Sequence, residues 1–250
     1  MSITLQFHPD WPYAGGLVIE SMARDGAYRS QFETGTSNGG LTAHPGGDRW
    51  RWESRLFGSC YDHAPAADRP VYGAWNRRDD PYGGAIRFGS AHLRLRPEVL
   101  ERCTFCFPDS VLEPTDFGGP EMLPQLSAMA DASGFDDLDE CVEAHVHGGV
   151  VIERDAEAVV LDPSFRGTKV EAAARELGCA VEWHPGFRVS SAGLDPGYRG
   201  QEHVDLAQSL GDVLTPDLLG DAARSGDYDP QSVKRVWHYL ARFGRSTAAA

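Results

Sequence analysis

The sequence predicts an α+β fold, with strands in roughly the first two thirds of the chain and helices in the last third. Short segments of strand-like alternation lie at residues 3–8, 85–95, 103–107 and 140–163. The last third instead carries three segments of helical character, EAAARELG, TPDLLGDAAR and DPQSVKRVWHYLARFG. We therefore expect an α+β domain over residues 1–165 and a helical extension over residues 166–250 that packs on it.

The net charge and the hydropathy pattern of the chain argue against two kinds of partner, nucleic acids and membranes. The net charge of −14 disfavours a long nucleic acid, which requires clustered Lys and Arg to neutralise its phosphates. No apolar run reaches the ~20 residues of a membrane span, and the N-terminus lacks a secretory pattern. We expect a cytoplasmic protein with no membrane partner, although a specialised secretion route would leave no such mark.

The first predicted unit is a strand, a glycine turn and a helix. Residues 3–8 (ITLQFH) form the strand, which ends at His8 because Pro9 cannot continue the ladder. After Gly15 and Gly16, the segment LVIESMARDG is typical of a short amphipathic helix that ends at Gly26.

Residues 27–41 form the next segment, AYRSQFETGTSNGGL, which includes Arg29, Thr36 and Ser37. Its glycines and hydroxyls can expose backbone N–H groups to a phosphate or an amide. The segment contains no GxGxxG and no P-loop lysine, so the two common nucleotide fingerprints are absent. A plain hairpin connection is the alternative.

The middle of the chain is irregular and aromatic from Trp50 to Asn76, where it ends in VYGAWN. The segment AIRFGSAHLRL (85–95) then predicts a strand with Arg87 and Ser90 among its polar residues. A helical turn (RPEVLER) and a strand (CTFCF) follow. The five cysteines form no disulfide framework, and the CxxC of Cys103 and Cys106 lacks the second pair of a structural zinc site.

The segment EAHVHG holds the strongest candidate site. Glu143, His145 and His147 alternate with small or apolar residues, so an extended chain presents all three on one face. Glutamate and histidine add little to sheet packing, which favours a functional role. The alternative is a solvent-facing edge strand.

Over its whole length the chain is identified as a member of an uncharacterised bacterial family, common in actinomycetes, that is known only as a domain of unknown function. The segments that carry this resemblance are FHPD, RSQFETGTSNGG, YGAWN, RFGSAHLRLRPEVLERCTF, EAHVHG, LDPSFRGT, WHPGF and VWHYLARFG. This resemblance implies no activity.

Over residues 1–165 the order of elements also resembles the ADP-ribosyltransferase fold, a split antiparallel β-sandwich. In the histidine, tyrosine, glutamate branch of that fold, an early strand carries His, a middle strand an aromatic residue, and a late strand begins with Glu. Here His8 and Glu143 occupy the first and last of these positions. The resemblance implies that the chain is an NAD-dependent ADP-ribosyltransferase or NAD glycohydrolase.

By this resemblance, His8 would bind the adenosine ribose of NAD, and Glu143 would bind the nicotinamide ribose and stabilise an oxocarbenium-like transition state. Tyr72 or Phe88 would stack on nicotinamide, and Arg29 or Arg87 would meet the pyrophosphate. The full predicted dinucleotide-binding set is His8, Arg29, Thr36, Ser37, Tyr72, Arg87, Phe88, Ser90 and His145. Cys141 stands two residues before Glu143, where arginine-modifying toxins carry Glu or Gln, which speaks against arginine as the acceptor. The acceptor, a protein or a small molecule, stays open.

Two other classes of function remain open. A divalent metal enzyme, a hydrolase or an oxygenase, would use His8, Glu143, His145 and His147 as ligands, with Asp10 beside them. The cupin spacing does not follow His147, so the HxH pattern is a weak signal. A non-catalytic binding module would instead present aromatic segments such as WHPGF and VWHYLARFG to a partner.

Overall fold

The computed structural model describes residues 2–35 and 42–246. The strands are β1 (Ser2–Phe7), β2 (Pro12–Tyr13), β3 (Gly16–Leu17), β4 (Ala27–Tyr28), β5 (Val71–Asn76), β6 (Ala91–Leu95), β7 (Cys103–Cys106), β8 (Phe117–Gly118), β9 (Glu143–Val146), β10 (Val150–Val151), β11 (Ala156–Leu161), β12 (Ala180–Trp183), β13 (Val189–Ser190) and β14 (Val213–Leu214). The α-helices are α1 (Val18–Asp25), α2 (Gln31–Thr34), α3 (Asp48–Leu56), α4 (Leu123–Ser133), α5 (Ile152–Asp155), α6 (Lys169–Ala174), α7 (Pro196–Arg199), α8 (Gln201–Leu210), α9 (Pro216–Ser225) and α10 (Pro230–Phe243). The predicted α+β class is confirmed.

Eight strands form one hydrogen-bonded sheet in the order β12-β11-β6-β1-β5-β9-β7-β8. Neighbouring strands are antiparallel except for β11 and β12, which run parallel. Strand β12 follows residue 165, so the C-terminal segment adds a strand to the sheet as well as the predicted helices. The parallel pairing arises because α6 provides the crossover between these two strands.

The two faces of the sheet differ in chemistry. One face is apolar and packs on α1, α4 and α6 in the main hydrophobic core, with side chains such as Leu5 and Phe105 fully buried. The opposite face carries polar side chains at alternate positions: Thr4, Gln6, Tyr72, His92, Thr104, Cys106, Glu143 and His145. The strand period of two therefore separates the core from a buried polar layer.

A second hydrophobic cluster joins the C-terminal helices to the segment around Tyr82 and Ile86. Trp237 on α10 is its centre, since its indole Nε1 donates to the carbonyl oxygens of Ile86 (3.1 Å) and Arg87 (3.2 Å). Helix α10 is thus fixed to the loop that borders the polar face. In the described part of the chain, no helix has the length and apolar character needed to cross a membrane.

Most predicted elements of the first unit are present, including β1 and helix α1, which ends at Gly26 with φ 62°. The prediction of irregular chain from residue 50 to 76 is wrong, since this region holds most of α3 and all of β5. The buried residues of α3 are Arg49, Trp52 and Glu53, and two charged residues on its buried face hide the apolar periodicity.

The edge-strand interpretation of residues 143–147 is also wrong. Strand β9 lies between β5 and β7, and all four of its residues are buried. Glu143 and His145 are therefore held inside the protein by hydrogen-bonded strands on both sides.

Candidate functional site

Two cavities that share lining residues lie beside the sheet, and the inner one is bordered by the polar-face side chains of Gln6, Tyr72 and Glu143. The inner one, of about 70 Å³, is lined by residues that include Arg49, Tyr72, Arg87, Phe88, Asp109 and Glu143. The outer one, of about 410 Å³, is lined by residues that include His8, Trp11, Tyr13, Met22 and Arg29. Tyr28, Gln31 and Tyr72 line both, so His8 and Glu143 lie along one cleft.

Glu143 lies at the inner end of this cleft and uses both of its carboxylate oxygens. Ser110 Oγ donates to Oε2 (3.0 Å), and His145 Nε2 lies 3.1 Å from Oε1. Burial alone would raise the pKa of Glu143, but the hydrogen bond from His145 and the charge of Arg49 outweigh it and hold this pKa below its usual value. The site thus contains a fixed carboxylate that is ionised at neutral pH.

Behind Glu143, a hydrogen-bonded series of side chains runs through β9 and β7. Tyr61 Oη and His147 Nδ1 are 2.6 Å apart, and His147 Nε2 lies 2.9 Å from Thr104 Oγ1. Thr104 Oγ1 then lies 3.1 Å from His145 Nδ1, whose ring bonds Glu143 through its other nitrogen. Each group can donate to the next from Tyr61 to Glu143, so one set of tautomers satisfies the whole series.

This series orients the carboxylate of Glu143, and its two imidazoles do not line the cavities. His145 is fully buried and lines neither cavity. Burial above all lowers the pKa of His147 to about 4, so this ring is neutral at pH 7. Both histidines therefore support Glu143 from behind.

Tyr72 forms the wall shared by the two cavities, and α3 fixes its ring. The Arg49 guanidinium lies over the ring, 4.1 Å from its centroid, while Tyr72 Oη donates to Glu53 Oε1 (2.8 Å). Arg69 Nη1 donates to Glu53 Oε2 (2.6 Å). Burial raises the pKa of Glu53 in spite of the bonds from Tyr72 and Arg69. Sequence reasoning missed Arg49 and Glu53, and the signal for them was a pair of charges at the apolar spacing of a helix.

His8 lies in the outer cavity between two tryptophans. Its ring stacks on Trp11 (centroids 4.2 Å apart) and meets the edge of Trp237 (4.9 Å). Burial, assisted by the charge of Lys234, lowers the pKa of His8 to about 3, so the ring is neutral. No hydrogen bond to either ring nitrogen occurs among the described residues, and His8 lines the outer cavity, so its ring is available to a ligand there.

The remaining predicted dinucleotide contacts are spread along the cleft. Arg29 lines the outer cavity and pairs with Asp25 (3.1 Å) and Glu33 (3.7 Å), whereas Arg87 lines the inner cavity and pairs with Asp139. Phe88 also lines the inner cavity.

Other predicted contacts lie elsewhere or outside the described residues. Ser90 is buried away from both cavities, where its carbonyl oxygen lies 2.9 Å from His184 Nε2. Thr36 and Ser37 are outside the described residues.

Of the predicted metal ligands, the structure brings only Glu143 and His145 into one potential metal site, where Cys106 joins them. Donor atoms of Cys106, Glu143 and His145 lie within 4.8 Å of one another, and this buried group is the potential metal site found in the described part of the chain. His147 bonds Tyr61 and Thr104, and His8 lies between the tryptophans. Asp10 pairs with Arg224 (2.9 Å). A thiolate, a carboxylate and an imidazole would suit zinc, although burial raises the pKa of Cys106 and favours the protonated thiol when no metal is bound.

Residues 2–130 and 120–243 match the family described as protein of unknown function (DUF3626), and the chain belongs to this family. No curated protein matches the chain.

Proposed function

We propose that this member of the family cleaves the N-glycosidic bond of NAD and passes the ADP-ribosyl group to water or to an acceptor. The single observation that carries the proposal is the shared cleft, which has His8 in its outer part and Glu143 at its inner end. The order of the strands in the sheet is a second observation in favour of the proposal. The strands that lead to His8, carry Tyr72 and begin with Glu143 are β1, β5 and β9, and these three are consecutive neighbours in the sheet.

The chemistry of the inner cavity suits this reaction. When the bond between nicotinamide and C1′ of the ribose breaks, positive charge develops on the ribosyl ring. A buried carboxylate that is already ionised stabilises that charge and needs no reorganisation at the moment of reaction. Glu143 meets this requirement, since Ser110 and His145 fix its two oxygens.

The aromatic walls suit the other parts of the substrate. Tyr72 and Phe88 both line the inner cavity, where either can stack on the nicotinamide ring. The free nitrogens of the neutral His8 ring would bond ribose hydroxyls in the outer cavity. Arg87 and Arg29 lie in the inner and outer cavities respectively, where each can reach the pyrophosphate that joins the two halves of NAD.

The decisive experiment is the release of free nicotinamide from NAD by the purified protein. We expect Glu143→Gln, which keeps the shape of the side chain but removes its charge, to lower the rate at least ~100-fold. The exposed Glu98, in the 3₁₀ turn Pro97–Arg102, provides the matched control, and Glu98→Gln should leave the rate unchanged.

Folding of each variant is checked by circular dichroism. A folded wild-type protein that releases no nicotinamide would contradict the proposal. Saturable NAD binding without release would then point to a binding module.

The buried group of Cys106, Glu143 and His145 favours a metal centre as the second candidate. In that case the purified protein should contain about one zinc per chain, and Cys106→Ala should lose it. A metal-free protein that is fully folded would argue against this candidate.

A further inference from the structure

This inference rests on the proposed cleavage of NAD and concerns the proton of the attacking nucleophile. A water molecule or an acceptor hydroxyl must lose a proton as its oxygen bonds to C1′, and a side chain in the inner cavity has to accept it. Glu143 is poorly suited to this role, since each of its oxygens already accepts a hydrogen bond.

Asp109 is a second carboxylate in the same cavity. It immediately precedes Ser110, whose hydroxyl donates to Glu143, and both carboxyl groups line the inner cavity. Its side chain is 7% exposed. Asp109 Oδ1 accepts from the backbone N–H of Val111 (3.1 Å), which fixes the carboxylate, while Oδ2 has no hydrogen-bond partner among the described residues.

The surroundings of Asp109 differ from those of Glu143. The titratable or charged groups that face it are Glu143 from β9, Cys106 from β7, Cys141 before β9, Arg49 from α3, and Arg87. Burial, followed by the charge of Glu143, raises the pKa of Asp109 to about 6. Two neighbouring carboxyl groups whose pKa values are moved in opposite directions are a common sign of separate roles in acid–base chemistry.

We propose that Asp109 is the general base that activates the nucleophile in this reaction. The C1′–N bond breaks, and its electron pair returns to the pyridinium nitrogen, so nicotinamide leaves as a neutral molecule. The oxygen of water or of the acceptor forms the new bond to C1′, and its proton passes to Asp109 Oδ2. Glu143 stays ionised throughout, and the Asp109 proton is released to solvent after the product leaves.

Chemical rescue with azide tests this role. Azide is an anion that attacks carbon without losing a proton, so it needs no general base. We expect Asp109→Asn to slow nicotinamide release at least ~100-fold and azide to restore it, with ADP-ribosyl azide as the product. Glu143→Gln should not be rescued, because its defect lies in stabilising the ribosyl cation.

A second substitution of Asp109 and a control substitution distinguish loss of the carboxylate from misfolding of one variant. Asp109→Ser also removes the carboxylate but keeps an oxygen that can accept from the Val111 N–H, and it should behave like Asp109→Asn. Asp68→Asn replaces an exposed aspartate and should match the wild type.

The outcomes separate this inference from the proposed function. If the wild type releases nicotinamide and Asp109→Asn does so at the same rate, Asp109 is not the base, but NAD cleavage stands. If a folded Asp109→Asn protein still binds NAD and azide fails to restore release, the base role is again overturned. If the folded wild type does not cleave NAD at all, both proposals fall.

Discussion

The burial that raises the pKa of Asp109 suits a general base, but it also lowers the stability of the folded protein. A carboxyl group whose pKa is raised by burial is harder to ionise in the folded protein than in the unfolded chain. Folding is therefore opposed by this group at any pH where the unfolded chain carries the charge. Functional side chains often show such a cost, because the same burial that makes them reactive removes them from water.

This cost gives a pH-dependent prediction for stability. A folded-state pKa of about 6, against an ordinary 3.8, means that the contribution of Asp109 to stability is present below pH 4 and is lost as pH rises through 6. Asp109→Asn keeps the bond to the Val111 N–H and cannot ionise. We expect its free energy of unfolding, relative to wild type, to rise by about 1 to 1.5 kcal/mol between pH 5 and pH 8.

Urea denaturation of both proteins at the two pH values measures this difference directly. Other titrating groups are common to both proteins and largely cancel in the comparison. A gap that stays constant from pH 5 to pH 8 would mean that the carboxyl of Asp109 is not perturbed as the structure indicates.

The Glu53 carboxylate shows a different use of a buried charge. It is fully buried and bonds Arg69 and Tyr72 at once, so neither of its oxygens is left without a partner. Buried ion pairs contribute little net stability, but they specify one arrangement of their surroundings. Here the arrangement that is specified is the position of the Tyr72 ring, which lines both cavities.

At the scale of elements, the short turn Ile86–Phe88 carries Arg87 and Phe88 to the inner cavity. The turn can approach β1 this closely because Gly89, directly after it, has no side chain and lies against the backbone of Phe7. A Cβ at Gly89 would overlap the carbonyl group of Phe7, which is held in the sheet and cannot move aside.

We therefore expect Gly89→Ala to lower the free energy of unfolding by at least about 2 kcal/mol. Gly119→Ala is the matched control, since the three atoms nearest to a Cβ there belong to the carboxylate end of the Glu121 side chain, which can rotate away. Thermal unfolding of the two variants and the wild type provides the comparison. Equal midpoints for Gly89→Ala and wild type would mean that the turn and β1 separate at little cost.

The elements differ in how well the sequence predicts them. Strand β9 was predictable because a period of two needs only local spacing, and helix α10 because its apolar residues repeat at helical intervals. Helix α3 was not, since Arg49 and Glu53 occupy buried positions where the pattern requires apolar residues. Ser110 and Asp109 gave no signal at all, because their placement beside Glu143 depends on the pairing of β7 with β9.

The whole molecule shows how a sheet can serve both stability and chemistry. Its apolar face packs on helices in the main core, and its polar face is covered by α3, by the loop around Tyr82 and by the C-terminal helices. Covering the polar face removes Glu143 and His145 from bulk water and strengthens the interactions between them. The covering elements come from distant parts of the chain, so the site depends on the complete fold.

This dependence predicts that residues 1–165 do not form a stable domain alone. Removing residues 166–250 takes away β12, so the edge of β11 that pairs with it becomes exposed. It also removes four residues of the main hydrophobic core: Val170, Ala173, Ala174 and Leu177. It also removes Trp237, which contacts the His8 ring and bonds the loop beside the inner cavity. We expect the 1–165 fragment to lack a cooperative thermal transition in near-ultraviolet circular dichroism, whereas the chain 1–246 shows one transition. A fragment that melts cooperatively near the temperature of the longer chain would instead establish the first 165 residues as an independent domain, with the remainder as an appendage.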